Sequence, residues 1–334
     1  MATLRDIARQ VDVSVSTVSR ALTGHPYVRE DLRKRVLDAA RELDYRPNAL
    51  AQGLRRNQSR TVGLIVPDIQ NVSHASVTTV LQGLLQRFGY GLALYVSNND
   101  VDTERRCFEK LREQRVDALA YVPCSRSRKY TLSTDGRQVP MVELFRPSGL
   151  NDVDTVIYDD DNGADLAVSH LLEMGHRNIG VVAGPKGYSS THRRLKGARA
   201  AVERASVPAD VLSVVHADYT PEGGREGFAE LLRQGARPTA VFAASSQLVL
   251  GVLVGCREHD VRIPGDMSVI GFGDPVWYEI TDPPITSYAA PIAELGMTAA
   301  QLLISRMEGT RDGAYPAKVV LSGHLVVRSS TAGP

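Results

Sequence analysis

Two amino-terminal helices are predicted from the stretch Thr3-Leu-Arg-Asp-Ile-Ala-Arg-Gln-Val-Asp-Val-Ser-Val-Ser-Thr-Val-Ser-Arg-Ala-Leu22. In its first half, apolar residues recur at the spacing of one helix face, at Leu4, Ile7, Ala8 and Val11. Thr3 and Asp6 have the spacing of a capping box, in which the two residues satisfy each other's backbone groups at the helix start. This half therefore predicts an amphipathic helix.

The second half of the stretch predicts a helix with one buried face and one exposed face. Ser14 is placed to cap it, and Val18 and Leu22 continue the apolar side. The residues left facing outward are Val15, Ser16 and Arg20. A third helix, from about Glu30, closes the small core. A helix-turn-helix places the start of its second helix in the major groove of DNA, where arginine contacts guanine with two hydrogen bonds. The pattern therefore predicts a DNA-reading head.

Positive charge is concentrated in this part of the chain. Residues 1–60 contain 12 Lys/Arg and 7 Asp/Glu, a net charge of +5, whereas residues 61–334 contain 27 and 31, a net charge of −4. The near-neutral total of +1 therefore conceals a basic head that attracts a polyanion.

A family resemblance is carried by Thr3-Leu-Arg-Asp-Ile-Ala8, Val13-Ser-Val-Ser-Thr-Val-Ser-Arg-Ala-Leu22 and Tyr45-Arg-Pro-Asn-Ala-Leu-Ala-Gln-Gly-Leu54. The chain resembles the lactose-repressor (LacI/GalR) family of bacterial transcription regulators from Thr3 to about Arg328. The resemblance implies a homodimer that binds double-stranded operator DNA and a small-molecule effector, without cofactor, catalysis or membrane association. Release of DNA by the effector is the commoner behaviour in such proteins, although recruitment stays open.

The hinge predicted at residues 47–60 follows the head. Pro47 ends the preceding element, and Asn48 can cap a helix at 49–55 that is too short to be stable alone. In similar proteins this helix enters the minor groove with an apolar wedge, a role that the resemblance gives to Leu54. An ordinary linker is the alternative. The residues expected to contact DNA are Thr3, Ser14, Val15, Ser16, Thr17, Ser19, Arg20, Arg29, Tyr45, Asn48, Ala51, Gln52 and Leu54.

Beyond Ser59, apolar strands alternate with helices, which predicts parallel sheets covered by helices. About 270 residues are enough to form two such units. The fold class expected is α/β: an all-α helix-turn-helix head at 1–46 and two doubly wound parallel sheets, like those of periplasmic binding proteins, at 61–330. We expect the first lobe at about 61–157 and 290–318, and the second at about 158–289 and 319–330.

Several other functions find little support in the sequence. The amino terminus has no apolar signal core and no segment is apolar enough to span a bilayer, so we expect a cytoplasmic protein. The three cysteines, Cys107, Cys124 and Cys256, are widely spaced and predict buried thiols. His170 and Glu173 share a helix face, and His176 lies just past its end. Such a His/Glu pair without a third ligand is usually a surface or capping arrangement, so no metal site is expected. A solute-binding protein and an α/β enzyme are the competing classes.

The effector cleft is expected beyond the carboxyl ends of the strands, where ligands bind in open α/β folds. Gly184-Pro185 followed by Arg194 and Gly197 resembles a family motif, and the planar fork of Arg194 can hold two ligand oxygens. The effector-binding candidates are Asp68, Ser73, His74, Ser125, Phe145, Tyr158, Ser190, Arg194, Tyr219, Ser245, Gly273 and Asp274.

Three departures from the family pattern bear on the effector. Phe145 stands where the family commonly has aspartate, Ser245-Ser246 where it has Asn-Asp, and Gly273-Asp274 where it has Asp-Asp. A neutral sugar relies on such acceptors, so their loss disfavours a plain hexose or pentose and leaves Arg194 less counterbalanced. The sequence therefore predicts an anionic effector such as a sugar acid, with an aromatic acid as the alternative because of Phe145, Tyr158 and Tyr219.

Overall fold

The computed structural model describes residues 2–22, 25–45, 59–124, 130–134, 136–149, 152–234, 237–310 and 315–334. Two compact units divide the chain, Met1–Ser59 and Arg60–Pro334. The first unit contains helices and the second contains two six-stranded sheets covered by helices. The predicted α/β fold class is therefore confirmed.

The first unit packs three helices around a small apolar core. They are α1 (Leu4–Val11), α2 (Val15–Leu22) and α3 (Glu30–Glu42). The predicted capping box is present: the Asp6 carboxylate accepts hydrogen bonds from the backbone N–H and the hydroxyl of Thr3, at 2.8 and 2.7 Å. The buried residues are Ile7, Ala8, Val11, Val18, Ala21, Val36, Ala39 and Ala40. Leu22, expected in this core, is only partly buried, and Ala21 takes its place.

The second unit alternates strands and helices along the chain. Its helices are α4 (Val72–Arg87), α5 (Val101–Glu113), α6 (Asp160–Glu173), α7 (Ser189–Arg204), α8 (Pro221–Arg233), α9 (Ser246–Glu258), α10 (Trp277–Ile280) and α11 (Ile292–Glu308). Its strands are β1 (Thr61–Val66), β2 (Gly91–Val96), β3 (Ala118–Tyr121), β4 (Ser133–Thr134), β5 (Arg137–Gln138), β6 (Met141–Phe145), β7 (Asp154–Tyr158), β8 (Ile179–Ala183), β9 (Leu212–His216), β10 (Ala240–Ala243), β11 (Ser268–Phe272), β12 (Thr286–Ala289), β13 (Lys318–Leu321) and β14 (His324–Val326).

Each sheet forms the centre of one lobe. The first sheet has the strand order β13-β7-β6-β3-β1-β2, and all its pairs are parallel. The second has the order β14-β12-β11-β10-β8-β9, in which β14 alone is antiparallel to its neighbour. The central strands β8, β10 and β11 are buried along their whole length, as expected of parallel strands with helices on both faces.

The chain passes between the two sheets three times: after β7, after β12 and between β13 and β14. The third crossing follows Leu321, three residues beyond the boundary expected at about residue 318. Lys318–Leu321 pairs in full with Thr155–Tyr158 of the first sheet before the chain leaves it. This pairing joins residues far apart in sequence, and no local pattern signals it.

Among the described residues, no helix combines the length and apolar character that are needed to cross a bilayer.

Candidate functional site

Helix α2 presents a polar surface at its start. The Ser14 hydroxyl accepts a hydrogen bond from the backbone N–H of Thr17 at 3.1 Å, so the predicted cap is present. The residues that are exposed, as expected, are Val15, Ser16 and Arg20, whereas Thr17 and Ser19 are partly buried. This is the part of a helix-turn-helix that reads base edges.

The other predicted DNA contacts lie in different environments. Arg29 is exposed, and its Nε lies 3.8 Å from the Asp31 carboxylate. Tyr45 packs against the core of the first unit, so its ring has a structural role. Tyr27, which the sequence did not single out, has a side chain that is 90% exposed. The predicted contacts that lie outside the described residues are Asn48, Ala51, Gln52 and Leu54.

A cleft of about 90 Å³ lies between the two lobes and is lined from both sheets. The predicted effector residues that line it are Asp68, Ser73, His74, Phe145, Tyr158, Ser190, Arg194, Tyr219, Ser245 and Gly273. Ser125 lies outside the described residues. Lining residues that the sequence did not predict include Asn71, Asn99, Arg146, Ser246 and Phe272. Sites for small molecules usually measure about 300–1,000 Å³, so a ligand of sugar size requires the lobes to separate before it enters.

Arg194 has a counter-ion that the sequence analysis did not identify. Its Nε donates to the Asp160 carboxylate at 2.9 Å, and the two side chains are only 12% and 1% exposed. Its Nη1 donates to the Ala244 carbonyl oxygen, and the guanidinium lies 3.7 Å from the centre of the Phe272 ring. Arg194 is thus held rigidly within the second lobe.

A glycine brings Arg194 and Asp160 together. A Cβ on Gly197 would lie 1.9 Å from the carbonyl oxygen of Asp161, so only glycine allows the backbones of α6 and α7 to approach this closely. Arg194 lies one turn before Gly197, and Asp160 directly precedes Asp161. The predicted Arg194–Gly197 spacing therefore has a packing role as well.

Asp274, an effector-binding candidate of the sequence analysis, is not among the residues that line the cleft. Its two carboxylate oxygens accept hydrogen bonds from Nη1 and Nη2 of Arg328 at 2.7 and 3.0 Å. One of these oxygens also accepts from the Ser287 hydroxyl at 2.7 Å. Both oxygens are occupied because Arg328, close to the carboxyl terminus, returns to the loop after β11.

Aromatic rings form one wall of the cleft. The His74 and Phe145 rings pack edge to face with their centres 5.2 Å apart. Phe145 and Tyr158 pack in the same way, with ring centres 5.5 Å apart. His74 Nδ1–H donates to the Asp68 carbonyl oxygen at 2.8 Å, and burial lowers the pKa of His74 to about 4. His74 is therefore neutral near pH 7, and its Nε2 is a hydrogen-bond acceptor.

Titration of His74 should be visible in the stability of the protein. The folded chain keeps His74 neutral until its pKa of about 4, whereas an unfolded histidine binds a proton near 6.5. The unfolded state therefore gains protons as the pH falls through this range, and the free energy of unfolding decreases. His74→Asn retains a donor for Asp68 but cannot titrate. Relative to this variant, we expect the wild type to lose up to about 2 kcal/mol between about pH 7 and about pH 5. Urea unfolding at both pH values measures the difference, and an equal loss in both proteins would contradict the prediction.

Arg146 is a second cation of the cleft, and the sequence analysis missed it. It is 7% exposed, its Nη2 donates to the Asn99 side-chain oxygen at 2.8 Å, and its guanidinium lies 4.0 Å from the centre of the Tyr188 ring. Its Nε is buried without a hydrogen-bond partner. Arg146 follows the strand end that includes Phe145, and this position was the one signal available in the sequence.

Residues considered for other chemistry have structural partners. His176 contacts the Thr239 hydroxyl and the Ala332 carbonyl oxygen, both at 2.8 Å, and His170 contacts the Thr331 hydroxyl at 3.0 Å. Within the described ranges, no group of three or more His, Cys, Asp or Glu residues is placed to hold a metal ion. The predicted buried thiols, Cys107, Cys124 and Cys256, are buried and free.

Comparisons with known proteins cover both units. Residues 3–48 match the model for bacterial regulatory proteins of the lacI family, and residues 168–331 match a periplasmic binding protein-like domain. The chain is 30% identical to catabolite control protein A of Priestia megaterium, over 98% of this chain and 99% of that protein. It is 32% identical to the HTH-type transcriptional repressor PurR of Proteus mirabilis, over 100% of this chain and 98% of that protein. Its fold is similar to the lac repressor dimer bound to operator and the anti-inducer ONPF, with a TM-score of 0.86, 26% identity and 99% coverage of both chains.

Proposed function

Because the chain belongs to the lacI family of bacterial regulatory proteins, we propose that it is a transcriptional repressor whose affinity for operator DNA is lowered by a small effector in the cleft. The observation that carries this proposal is the combination, in one chain, of the exposed start of α2 with a cleft lined from two lobes. The function requires the protein to act in the cytoplasm, where its DNA is, and requires no catalytic group.

Sequence-specific binding is assigned to α2. Arg20 is the candidate for a two-bond contact with guanine, and Ser16 is a candidate for a shorter polar contact with a base edge. Two copies of the chain give a two-fold axis, so the operator should contain two half-sites related by the same symmetry. The hinge with Leu54 is proposed to open the centre of this site from the minor groove.

Regulation is assigned to movement of the two lobes. The chain crosses between the sheets three times, which allows the lobes to rotate as rigid bodies about these segments. An effector that binds one arrangement of the lobes more tightly shifts the population towards it, and the operator affinity changes by the same coupling free energy. Release of operator DNA is the direction we propose.

The proposed function is tested by selecting duplexes from a randomised, nearly palindromic library with the full-length protein. We expect one two-fold sequence family to emerge. Arg20→Ala should then lose about 1–3 kcal/mol of discrimination per half-site, measured by fluorescence anisotropy against a scrambled duplex. The matched control is Arg41→Ala, which removes a side chain that is 79% exposed at the end of α3 and paired with Asp38. If the wild type selects no duplex, the proposed function fails.

A further inference from the structure

Arg146 differs from the other mostly buried arginines of the second unit. Arg194, Arg306 and Arg328 are 12–13% exposed, and each has an aspartate within 2.7–2.9 Å. Among the described residues, no carboxylate lies within ion-pair distance of Arg146, whose Nε lacks any partner. A buried guanidinium is costly unless an acceptor of opposite charge compensates it.

Two buried acidic groups of the first lobe, Glu104 and Glu143, are engaged by other partners. Glu104 interacts electrostatically with Arg146, but its carboxylate accepts the backbone N–H of Cys124 at 2.6 Å, and burial raises its pKa. Glu143 accepts from the Tyr121 hydroxyl at 2.6 Å and from the Ser148 backbone N–H at 2.9 Å. The positive charge of Arg146 is therefore directed towards the cleft.

A second unpartnered group belongs to the same cleft. The Tyr158 hydroxyl is buried without a hydrogen-bond partner, on a residue that is 4% exposed. An arginine donates hydrogen bonds and accepts none, whereas a tyrosine hydroxyl does both. A ligand that satisfies both groups therefore needs a negatively charged acceptor for Arg146 and a further oxygen for Tyr158.

The backbone before Arg146 is unusual. Phe145 has a φ of +63°, and the Arg146 backbone N–H donates to the Leu144 carbonyl oxygen at 2.7 Å. This three-residue turn is strained for a bulky residue, and such strain is concentrated at functional sites. It reverses the chain at the end of β6, so that Phe145 and Arg146 both line the cleft.

We propose that the effector is a small carboxylic acid with at least one further oxygen substituent, and that Arg146 binds its carboxylate. This inference rests on the proposed function and corrects the expectation that Arg194 binds the charge. Arg194 is neutralised by Asp160 and is left to orient neutral oxygens. Sugar acids meet the requirement, with their hydroxyl groups available to Tyr158 and to the acceptor Nε2 of His74.

Arg146 also connects the two lobes. It belongs to the first lobe, whereas Tyr188, on which its guanidinium stacks, directly precedes α7 of the second lobe. Next to this contact, the Ser189 hydroxyl donates to the Pro147 carbonyl oxygen at 3.3 Å. A carboxylate on Arg146 would be covered by Tyr188 when the lobes close, and its exclusion from water strengthens the ion pair. Arg146 therefore contacts both the bound acid and the second lobe.

The first experiment is calorimetry and thermal unfolding of the full-length protein with acids and their neutral counterparts: gluconate and glucose, galacturonate and galactose, glycolate and glycolamide, benzoate and benzamide. We expect binding of at least one oxygen-substituted acid and none of its neutral counterpart. Arg146→Met should lower the affinity for that acid by at least about 30-fold. Arg146→Lys should lower this affinity less, because the charge is kept. The matched control is Arg233→Met, which alters an exposed arginine and should not change binding.

A second readout needs no effector. If Arg146 is an uncompensated cation, Arg146→Met should keep or raise the unfolding temperature, whereas Arg194→Met should lower it by leaving Asp160 buried and unpaired. The inference is overturned if both variants are equally destabilised, if a neutral counterpart binds as well as its acid, or if no acid binds at millimolar concentration. If the wild type selects a duplex but binds none of the acids, this inference alone is overturned and the proposed function stands.

Discussion

Replacing Asp160 with alanine is expected to lower the free energy of unfolding by about 3–5 kcal/mol, because Arg194 would remain buried without its counter-ion. The Asp160 side chain is 1% exposed, so water cannot take its place. The loss should also remove effector binding, since the guanidinium is oriented over Phe272 by this pair. Urea unfolding of the purified protein measures the change.

An exposed ion pair provides the matched control. Asp266 binds Arg262 at 2.7 Å, with side chains that are 38% and 81% exposed. Asp266→Ala removes the same kind of group from water-accessible surroundings and should change the free energy of unfolding far less than Asp160→Ala does. If both variants lose equally little, the Asp160–Arg194 pair does not hold the second lobe together, and effector orientation by Arg194 would need another explanation.

Gly197→Ala is expected to destabilise the protein by about 3 kcal/mol, although alanine is the better helix former. The added Cβ would lie 1.9 Å from the Asp161 carbonyl oxygen. This oxygen belongs to the backbone at the contact between α6 and α7, so it cannot move away by a change of rotamer as a side chain can. Separating the helices would also pull Arg194 away from Asp160. The measurement is again urea unfolding, accompanied by titration with the acid that the wild type binds.

Gly83→Ala is the control for this substitution, because Gly83 also lies inside a helix. It is exposed on α4, and a Cβ there would have no atom within 4 Å. The change should stabilise the helix by about 0.5–1 kcal/mol. Opposite signs at the two glycines would show that close helix packing, and not helix propensity, governs position 197. A stable Gly197→Ala variant would mean that the two helices tolerate a wider separation.

The two largest predicted effects both concern residues that hold Arg194 in place, whereas binding of the effector's carboxylate is assigned to Arg146. This division separates stability from specificity. Arg194 is fixed within the second lobe by Asp160 and the Ala244 carbonyl oxygen. Arg146, with an unpartnered Nε and a stacking contact across the cleft, is the group that a ligand can still satisfy. Variants of the two arginines should therefore differ in stability and in acid preference.

Features that depend on local spacing were predictable from the order of the residues alone. The apolar positions from Leu4 to Val11, the cap at Ser14 and the exposed Arg20 follow from the helical repeat. Alternation of strands and helices predicted two parallel sheets, and the rule that ligands bind beyond strand ends predicted ten of the residues that line the cleft. These signals lie within a few residues of one another, so they can be recognised without a structure.

Which charged groups remain available to a ligand depends on contacts between segments that are distant in sequence. Asp160 neutralises Arg194 across 34 positions of sequence, and Arg328 occupies Asp274 across 54. The turn at Phe145 that directs Arg146 into the cleft depends on a backbone conformation that phenylalanine does not signal. Ion pairs and strained turns are set by residues that the fold brings together from distant segments, and the periodicity of a single segment carries no information about them.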